Sequence, residues 1–237
     1  MRARSILYGL WYYGVTVTLS ILFIPLLALP RGALRGGIRM WAKMLIWGMR
    51  VIGGVRLEVR GLEHLPKGAP VLIAAKHQSM FDIVPAFAYM PDALFVMKRE
   101  LMRIPVFGWL NLKHRSIVVD RQGQAQAMRK MITDARDRFK EPRPLLIFPE
   151  GTRRPPGAEP DYKPGVAGLY RDLEVPCVPV ATNTGVHVSS SGIARSPGVV
   201  VYEVLEAIPA GLKRADFMRI LQERIETASD ALMTSST

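Results

Sequence analysis

His77-Gln78-Ser79-Met80-Phe81-Asp82 sets an imidazole and a carboxylate five residues apart, directly after the apolar run Val71-Leu72-Ile73-Ala74-Ala75. Partners on one helical face sit three or four residues apart, so five is the wrong spacing for that arrangement. The spacing suits a histidine that ends a buried strand and an acid in the first turn of the next helix. In such sheets, ligands bind in the crevice at the carboxyl ends of the strands. Asp82 can then hold one ring nitrogen and set the tautomer, leaving the other nitrogen as a proton acceptor. A hydrogen-bonded surface histidine is the competing reading of the same six residues.

Two further segments point to the same kind of corner. Leu145-Leu146-Ile147-Phe148 reads as a buried strand that runs into Pro149-Glu150-Gly151-Thr152-Arg153. Pro149 has no donor and stops the ladder. Gly151 allows close backbone approach, and Arg153 offers a planar fork suited to phosphate or carboxylate. Between the two corners lies Lys98-Arg99-Glu100-Leu101-Met102-Arg103-Ile104-Pro105-Val106-Phe107-Gly108, a third strand exit with three cations and a Pro and Gly stop. Three apolar strands ending in polar corners imply one shared site.

These segments resemble the conserved blocks of the glycerolipid O-acyltransferases. His77–Asp82 is similar to their HX4D block, Lys98–Gly108 to the second, Phe148–Arg153 to the FPEGTR block and Val178-Pro179-Val180 to the apolar-proline fourth. All four stand in the family's order. The resemblance implies transfer of a fatty acyl group from acyl-CoA or acyl carrier protein to the sn-2 hydroxyl of lysophosphatidic acid, giving phosphatidic acid. It implies His77 as general base and Asp82 as its orienting acid, and no cofactor. Lys98, Arg103 and Gly108, with Glu150, Gly151, Thr152 and Arg153, are the implied substrate-binding residues. Glu150 then positions the glycerol or braces Arg153; a capping or salt-bridge role is its alternative, as helix-end charge is for Lys98 and Arg103.

A thioester is already activated, so direct attack by the hydroxyl needs no covalent enzyme intermediate. Ser79 lacks the glycines of a nucleophile elbow, and no G-x-S-x-G occurs in the chain. Backbone N–H groups around Pro105–Gly108 or near Ser79 are the expected oxyanion donors. The alternatives keep the chemistry and change the acceptor (a lyso-ornithine lipid, another lysophospholipid or glycerol 3-phosphate), or make the chain a non-catalytic membrane protein. Arg153 favours a phosphate-bearing acceptor.

The chain has 237 residues and a net charge of +12, from 32 basic and 20 acidic residues. That sign calls for an anionic partner: nucleic acid, anionic phospholipid or a phosphorylated substrate. Nucleic acid is disfavoured because the basic residues are dispersed and no nucleic-acid-binding motif occurs. Cys177 is the single cysteine, so an internal disulfide and an all-cysteine metal cluster are excluded. It reads as a buried, inert thiol. Walker A, H-E-x-x-H and G-x-G-x-x-G are absent from the sequence, and no ligand cluster suggests a metal. His64, His114 and His187 have no carboxylate at ligand spacing and read as structural or surface residues.

The elements that must position these corners follow from periodicity. Strands Val55–Val59, Val71–Ala75, Leu94–Met97, Ser116–Asp120, Leu145–Phe148, Val178–Asn183 and Val199–Leu205 alternate with helical stretches Phe81–Met90, Gln122–Lys140 and Lys213–Leu232. This predicts an α/β fold: a mixed, largely parallel sheet of about seven strands flanked by helices. Arg153–Pro164, rich in proline, reads as a connector. Ahead of the domain at 54–237, residues 1–53 read as a two-helix membrane anchor.

From Ser5 to Pro30 no residue is charged, long enough to cross a bilayer, which takes about 20 apolar residues. Yet Arg2 and Arg4 precede that stretch while Arg31, Arg35, Arg39 and Lys43 follow it, so both flanks want the cytoplasmic side. A half-inserted hairpin satisfies both. Pro25 and Pro30 break the chain, and a second helix from about Leu34 to Val51 returns along the surface with a cationic stripe. The expected location is the cytoplasmic face of the inner membrane.

Overall fold

Short, wholly buried apolar runs form the middle of a seven-stranded sheet. The computed structural model describes residues 2–90, 92–120, 124–190 and 195–234. Its strands are β1 (Val55–Arg60), β2 (Val71–Ala75), β3 (Leu94–Lys98), β4 (Ile117–Val119), β5 (Pro144–Ile147), β6 (Cys177–Thr182) and β7 (Gly198–Val204). The helices are α1 (Arg2–Leu22), α2 (Arg31–Gly48), α3 (Ile83–Tyr89), α4 (Phe107–His114), α5 (Gln124–Arg138), α6 (Gly165–Leu173), α7 (Thr184–His187) and α8 (Arg214–Thr234). The predicted start of α5 at Gln122 lies outside the described residues.

Strand order is β1-β7-β6-β2-β5-β3-β4. Among the described residues every pairing is parallel except β6 with β7. The expected mixed, largely parallel sheet is therefore present. Every residue of β2 and β6 is buried, as strands covered on both faces must be. Ala74 pairs with Ile147 of β5 on one side and Pro179 of β6 on the other. The apolar-proline block is thus the strand beside β2, and Cys177 is fully buried within it. Burial pushes its thiol far up, which makes it inert.

Topology places the three corners together. β2, β5 and β3 are consecutive in the sheet, all parallel, so their carboxyl ends open on one edge. One face of the sheet is covered by α5, α6 and α8 through Met131, Ala135, Leu169, Phe217, Leu221 and Ile225. On the other side α3 packs through Val84 and Ala88 against the hairpin of α1 and α2.

That hairpin has the predicted outline. A 3₁₀ turn at Ile24–Leu27 contains Pro25, Pro30 precedes α2, and a π turn at Met49–Gly53 ends it. Tyr8 Oη donates to the Leu45 carbonyl at 3.2 Å, and Trp11 Nε1 donates to Met44 O at 3.2 Å. Most of the cationic stripe is engaged within the protein. Arg35 pairs with Asp92 at 2.7 Å, Arg31 with Glu141 at 2.8 Å, and Arg39 Nε donates to Ala88 O at 3.2 Å. These contacts fasten α2 to the α/β body, while Lys43 stays exposed. The tips of the hairpin are fastened as well. Arg195 donates to Ser5 O at 3.3 Å, and Lys113 Nζ to Leu27 O at 2.7 Å.

Candidate active site

β2 delivers its last apolar side chain at Ala75, and His77 follows two residues later, outside the ladder. Ser79 then caps a 3₁₀ turn at Met80–Asp82 that leads into α3. Its hydroxyl accepts from Phe81 N–H at 3.1 Å and donates to Asp82 Oδ1 at 3.2 Å. This cap turns Asp82 back toward His77. The His77 Nδ1–Asp82 Oδ2 distance is 2.9 Å, so the Nδ1–H tautomer donates to the carboxylate.

Asp82 is fully buried and accepts from five donors. Oδ2 takes His77 Nδ1, Gln78 N–H at 2.7 Å and Ser79 N–H at 2.8 Å. Oδ1 takes the hydroxyls of Ser79 and Thr184. A carboxylate offers about four lone-pair sites, so Asp82 is saturated and cannot swing. Ser79, buried with its hydroxyl engaged, is a cap rather than a nucleophile. Its N–H is spent on Asp82, and the N–H groups of Phe107 and Gly108 are spent on Pro105 O and Ile104 O. These expected oxyanion donors are therefore engaged within the protein.

The imidazole is also fixed in plane. Phe148 stacks on it with ring centroids 4.0 Å apart and planes 16° apart. Nε2 makes no hydrogen bond among the described residues, and the ring lines a cleft of about 1250 Å³. The cleft runs from His77 over the sheet between α5 and α6, with an apolar stretch of Val96, Val119, Met128, Ile132 and Ile147.

The second corner divides its residues by role. Glu150 is fully buried: Lys76 Nζ lies 2.9 Å from Oε1, and His77 N–H donates to Oε2 at 3.2 Å. Burial pushes its carboxyl above the usual range, and the Lys76 hydrogen bond opposes that. Gly151 adopts φ 66°, a region costly for other residues, and lines the cleft beside the exposed Thr152. Arg153 is exposed and, like Lys98 and Arg103, does not line the cleft; its Nη1 donates to Ser190 O at 2.6 Å. Arg154 N–H donates to His77 O at 2.8 Å, so this corner grips the His77 backbone on both sides.

The third corner is placed differently. Lys98 is exposed and pairs with Glu100 at 3.3 Å, and Arg103 is exposed on the 3₁₀ turn Arg99–Arg103. Neither lines the cleft; Val96 and Met97 of β3 do. Gly108 is buried, and a Cβ there would stand 2.3 Å from Met102 O, so glycine lets that turn close onto α4. The cations that do line the cleft are Lys163, Arg129, Arg136 and Arg171. Lys163 packs its stem over Gly151 and pairs with Asp161 at 2.6 Å.

Comparison with known proteins places the chain in a family. Residues 56–183, more than half of the chain, match the Acyltransferase family. The chain belongs to that family. Among its acyltransferase relatives is the 1-acyl-sn-glycerol-3-phosphate acyltransferase of Pseudomonas aeruginosa, 34% identical over 77% of this chain and 70% of that protein. Another is 1-acyl-sn-glycerol-3-phosphate acyltransferase alpha of Mus musculus, 29% identical over 69% of this chain and 59% of that protein. The crystal structure of the 1-acyl-sn-glycerophosphate acyltransferase of Thermotoga maritima superposes with a TM-score of 0.81. It covers 98% of both chains at 21% identity, so it has the same acyltransferase fold.

The residues of this acyltransferase site that escaped the sequence reading include Lys76, Tyr162, Thr184 and Glu226, along with the cleft cation Lys163. Lys76 did carry a signal, since it is a charge closing a wholly apolar strand immediately before His77. Thr184 reaches Asp82 from 102 residues away and Glu226 reaches Lys76 from 150, with no local pattern to mark them.

Proposed function

We propose that this enzyme transfers a fatty acyl group from a thioester, acyl-CoA or acyl carrier protein, to the sn-2 hydroxyl of 1-acyl-glycerol 3-phosphate, forming phosphatidic acid. The observation that carries the reading is a buried, saturated Asp82 holding His77 Nδ1 while Nε2 opens on a largely apolar cleft. Nε2 takes the hydroxyl proton as that oxygen attacks the thioester carbonyl, and the thiolate leaves. Asp82 stabilises the imidazolium that forms. General-base help of this kind contributes about 10²–10⁴-fold. The names of the relatives support the acceptor class. Lys163, which lines the cleft over Gly151, and the exposed Arg153, which follows the cleft residue Thr152, are the cations assigned to the acceptor's phosphate. The activated acyl donor makes a cofactor unnecessary.

The membrane reading comes from α1, which is long and apolar enough to cross a bilayer but only 22% buried. Ile6, Leu10, Tyr13, Val17 and Ile21 repeat at helical spacing and are each more than half exposed. Because α1 lies along α2, and α2 is fastened to the body, α1 enters lipid in plane rather than crossing it. Residues 1–53 form the anchor and 54–237 the catalytic domain, at the cytoplasmic face of the inner membrane. A protease-accessible tag before Met1 on the outside of inside-out vesicles is the expected result, and a protected tag refutes the in-plane placement.

Purified protein in detergent, given labelled acyl-CoA or acyl carrier protein and a panel of lysolipids, tests the activity. Lysophosphatidic acid should be acylated in preference to neutral or zwitterionic acceptors, and His77→Ala should be inactive. Preference for a phosphate-free acceptor overturns the reading.

A further inference from the structure

The end of β2 sends its side chains to two sides. His77 lines the catalytic cleft, whereas Lys76 and Gln78 line a separate, smaller cavity against α8. Lys76 is 4% exposed, and its Nζ stands 2.9 Å from Glu150 Oε1 and 2.8 Å from Glu226 Oε2. Glu226 belongs to α8 and also accepts the Tyr162 hydroxyl at 2.8 Å. Burial and the adjoining Glu226 push that phenol far up, so it stays a donor. Through Oε2 of Glu150, the chain of contacts ends on the N–H of His77.

We propose that Lys76 and Glu226 are positioning residues for acyl transfer: together they fix Glu150, which fixes the His77 backbone and the reach of Nε2 into the cleft. The inference rests on His77 being the general base. Holding α8 in place does not require the Glu226 carboxylate, because Phe217, Leu221 and Ile225 of the same helix are fully buried against the sheet. Nor is a buried ion cluster a favourable way to stabilise a fold, since apolar replacements of equal volume are often as good or better. What the cluster does supply is geometry at the residue next to the base, where a shift of about 1 Å can cost on the order of 10²-fold in rate.

Steady-state kinetics over both substrates, with thermal unfolding, on Lys76→Met, Lys76→Arg, Glu226→Gln, Tyr162→Phe and His77→Ala test this. Lys76→Met and Glu226→Gln should lower kcat by about 10–100-fold, as losses of outer supporting contacts do, with both KM values nearly unchanged. Lys76→Arg should recover part of that loss. The double variant Lys76→Met/Glu226→Gln should be no slower than Lys76→Met, because both remove one unit. If Lys76→Met fails to fold, Glu226→Gln and Tyr162→Phe decide. Wild-type kcat per folded molecule in both, with only the melting temperature lowered, overturns the proposal, as does a raised acceptor KM at unchanged kcat. An active His77→Ala refutes the base assignment itself, whereas an inactive one beside a kinetically silent Glu226→Gln refutes only the positioning role.

Discussion

Asp82 and Glu150 are both fully buried carboxylates next to His77, yet their partners differ in kind. Asp82 is held by neutral groups: two backbone N–H groups, two hydroxyls and the imidazole. Glu150 faces a full cation, Lys76, which it shares with Glu226. Dipoles satisfy a carboxylate without cancelling its charge, so under the proposed mechanism Asp82 would keep that charge available for a cation that appears only during reaction. Glu150 has its charge neutralised in the resting protein. On the proposed mechanism the same functional group would serve chemistry in one corner and architecture in the other, and its donors decide which.

The largest test of this contrast is Asp82→Asn, which keeps the shape and removes the charge. We expect kcat to fall by about 10⁴-fold, with acyl-CoA binding retained in an equilibrium assay. Wild-type turnover would end the assignment of Asp82. On the other side of the contrast, Lys76→Met leaves the buried Glu150 and the partly buried Glu226 without their cation. Denaturant unfolding should register a loss on the order of 3–5 kcal/mol, and Asp82→Asn should cost clearly less. Equal losses would erase the distinction between the two carboxylates.

Smaller effects belong to the exposed Arg153 and the junction. Arg153→Ala should raise the acceptor KM on the order of 10- to 100-fold with kcat nearly unchanged, as expected for binding present before the transition state. A lowered kcat at constant KM would move Arg153 into the reacting geometry. Glu141, hydrogen-bonded to Arg31, has its carboxyl pulled down to about 2. A depressed carboxyl stabilises the fold above its ordinary pKa, near 4.5, and that contribution disappears as pH falls toward 2. Both side chains are about a third exposed or more, so solvent screens the pair. Glu141→Gln should cost less than about 1 kcal/mol at neutral pH, with the difference shrinking in high salt and fading as pH falls through about 2. A difference that persists well below that pH would mean the glutamate acts through packing.

How much of this was legible in the sequence depends on the range of the contacts involved. The strands were, because continuous apolar runs bounded by Gly and Pro have few other solutions, and their ends lie within a residue or two of those expected. The pairing of His77 with Asp82 was legible because only a short turn separates them. α4 and α6 were not: at eight and nine residues they are too short to show a clear period, and each follows a proline-bearing segment that reads as loop. Lys98 and Arg103 read as site cations because strand order implies a shared edge, but sequence does not say which way a side chain leaves that edge. The partners Thr184 and Glu226 are set by tertiary folding alone.

The rivets between α2 and the body have a consequence for how such an enzyme would meet its substrates. With Arg35 on Asp92, Arg31 on Glu141 and Lys113 on the tip of the hairpin, no flexible tether separates the anchor from the catalytic corner. With α1 seated in lipid as proposed, the height of the imidazole above the acyl chains would be set, like a tool clamped to its bench. Lysolipids would then arrive by sliding within the leaflet to a mouth at constant depth, and a thicker or thinner bilayer would change which part of them the base can touch.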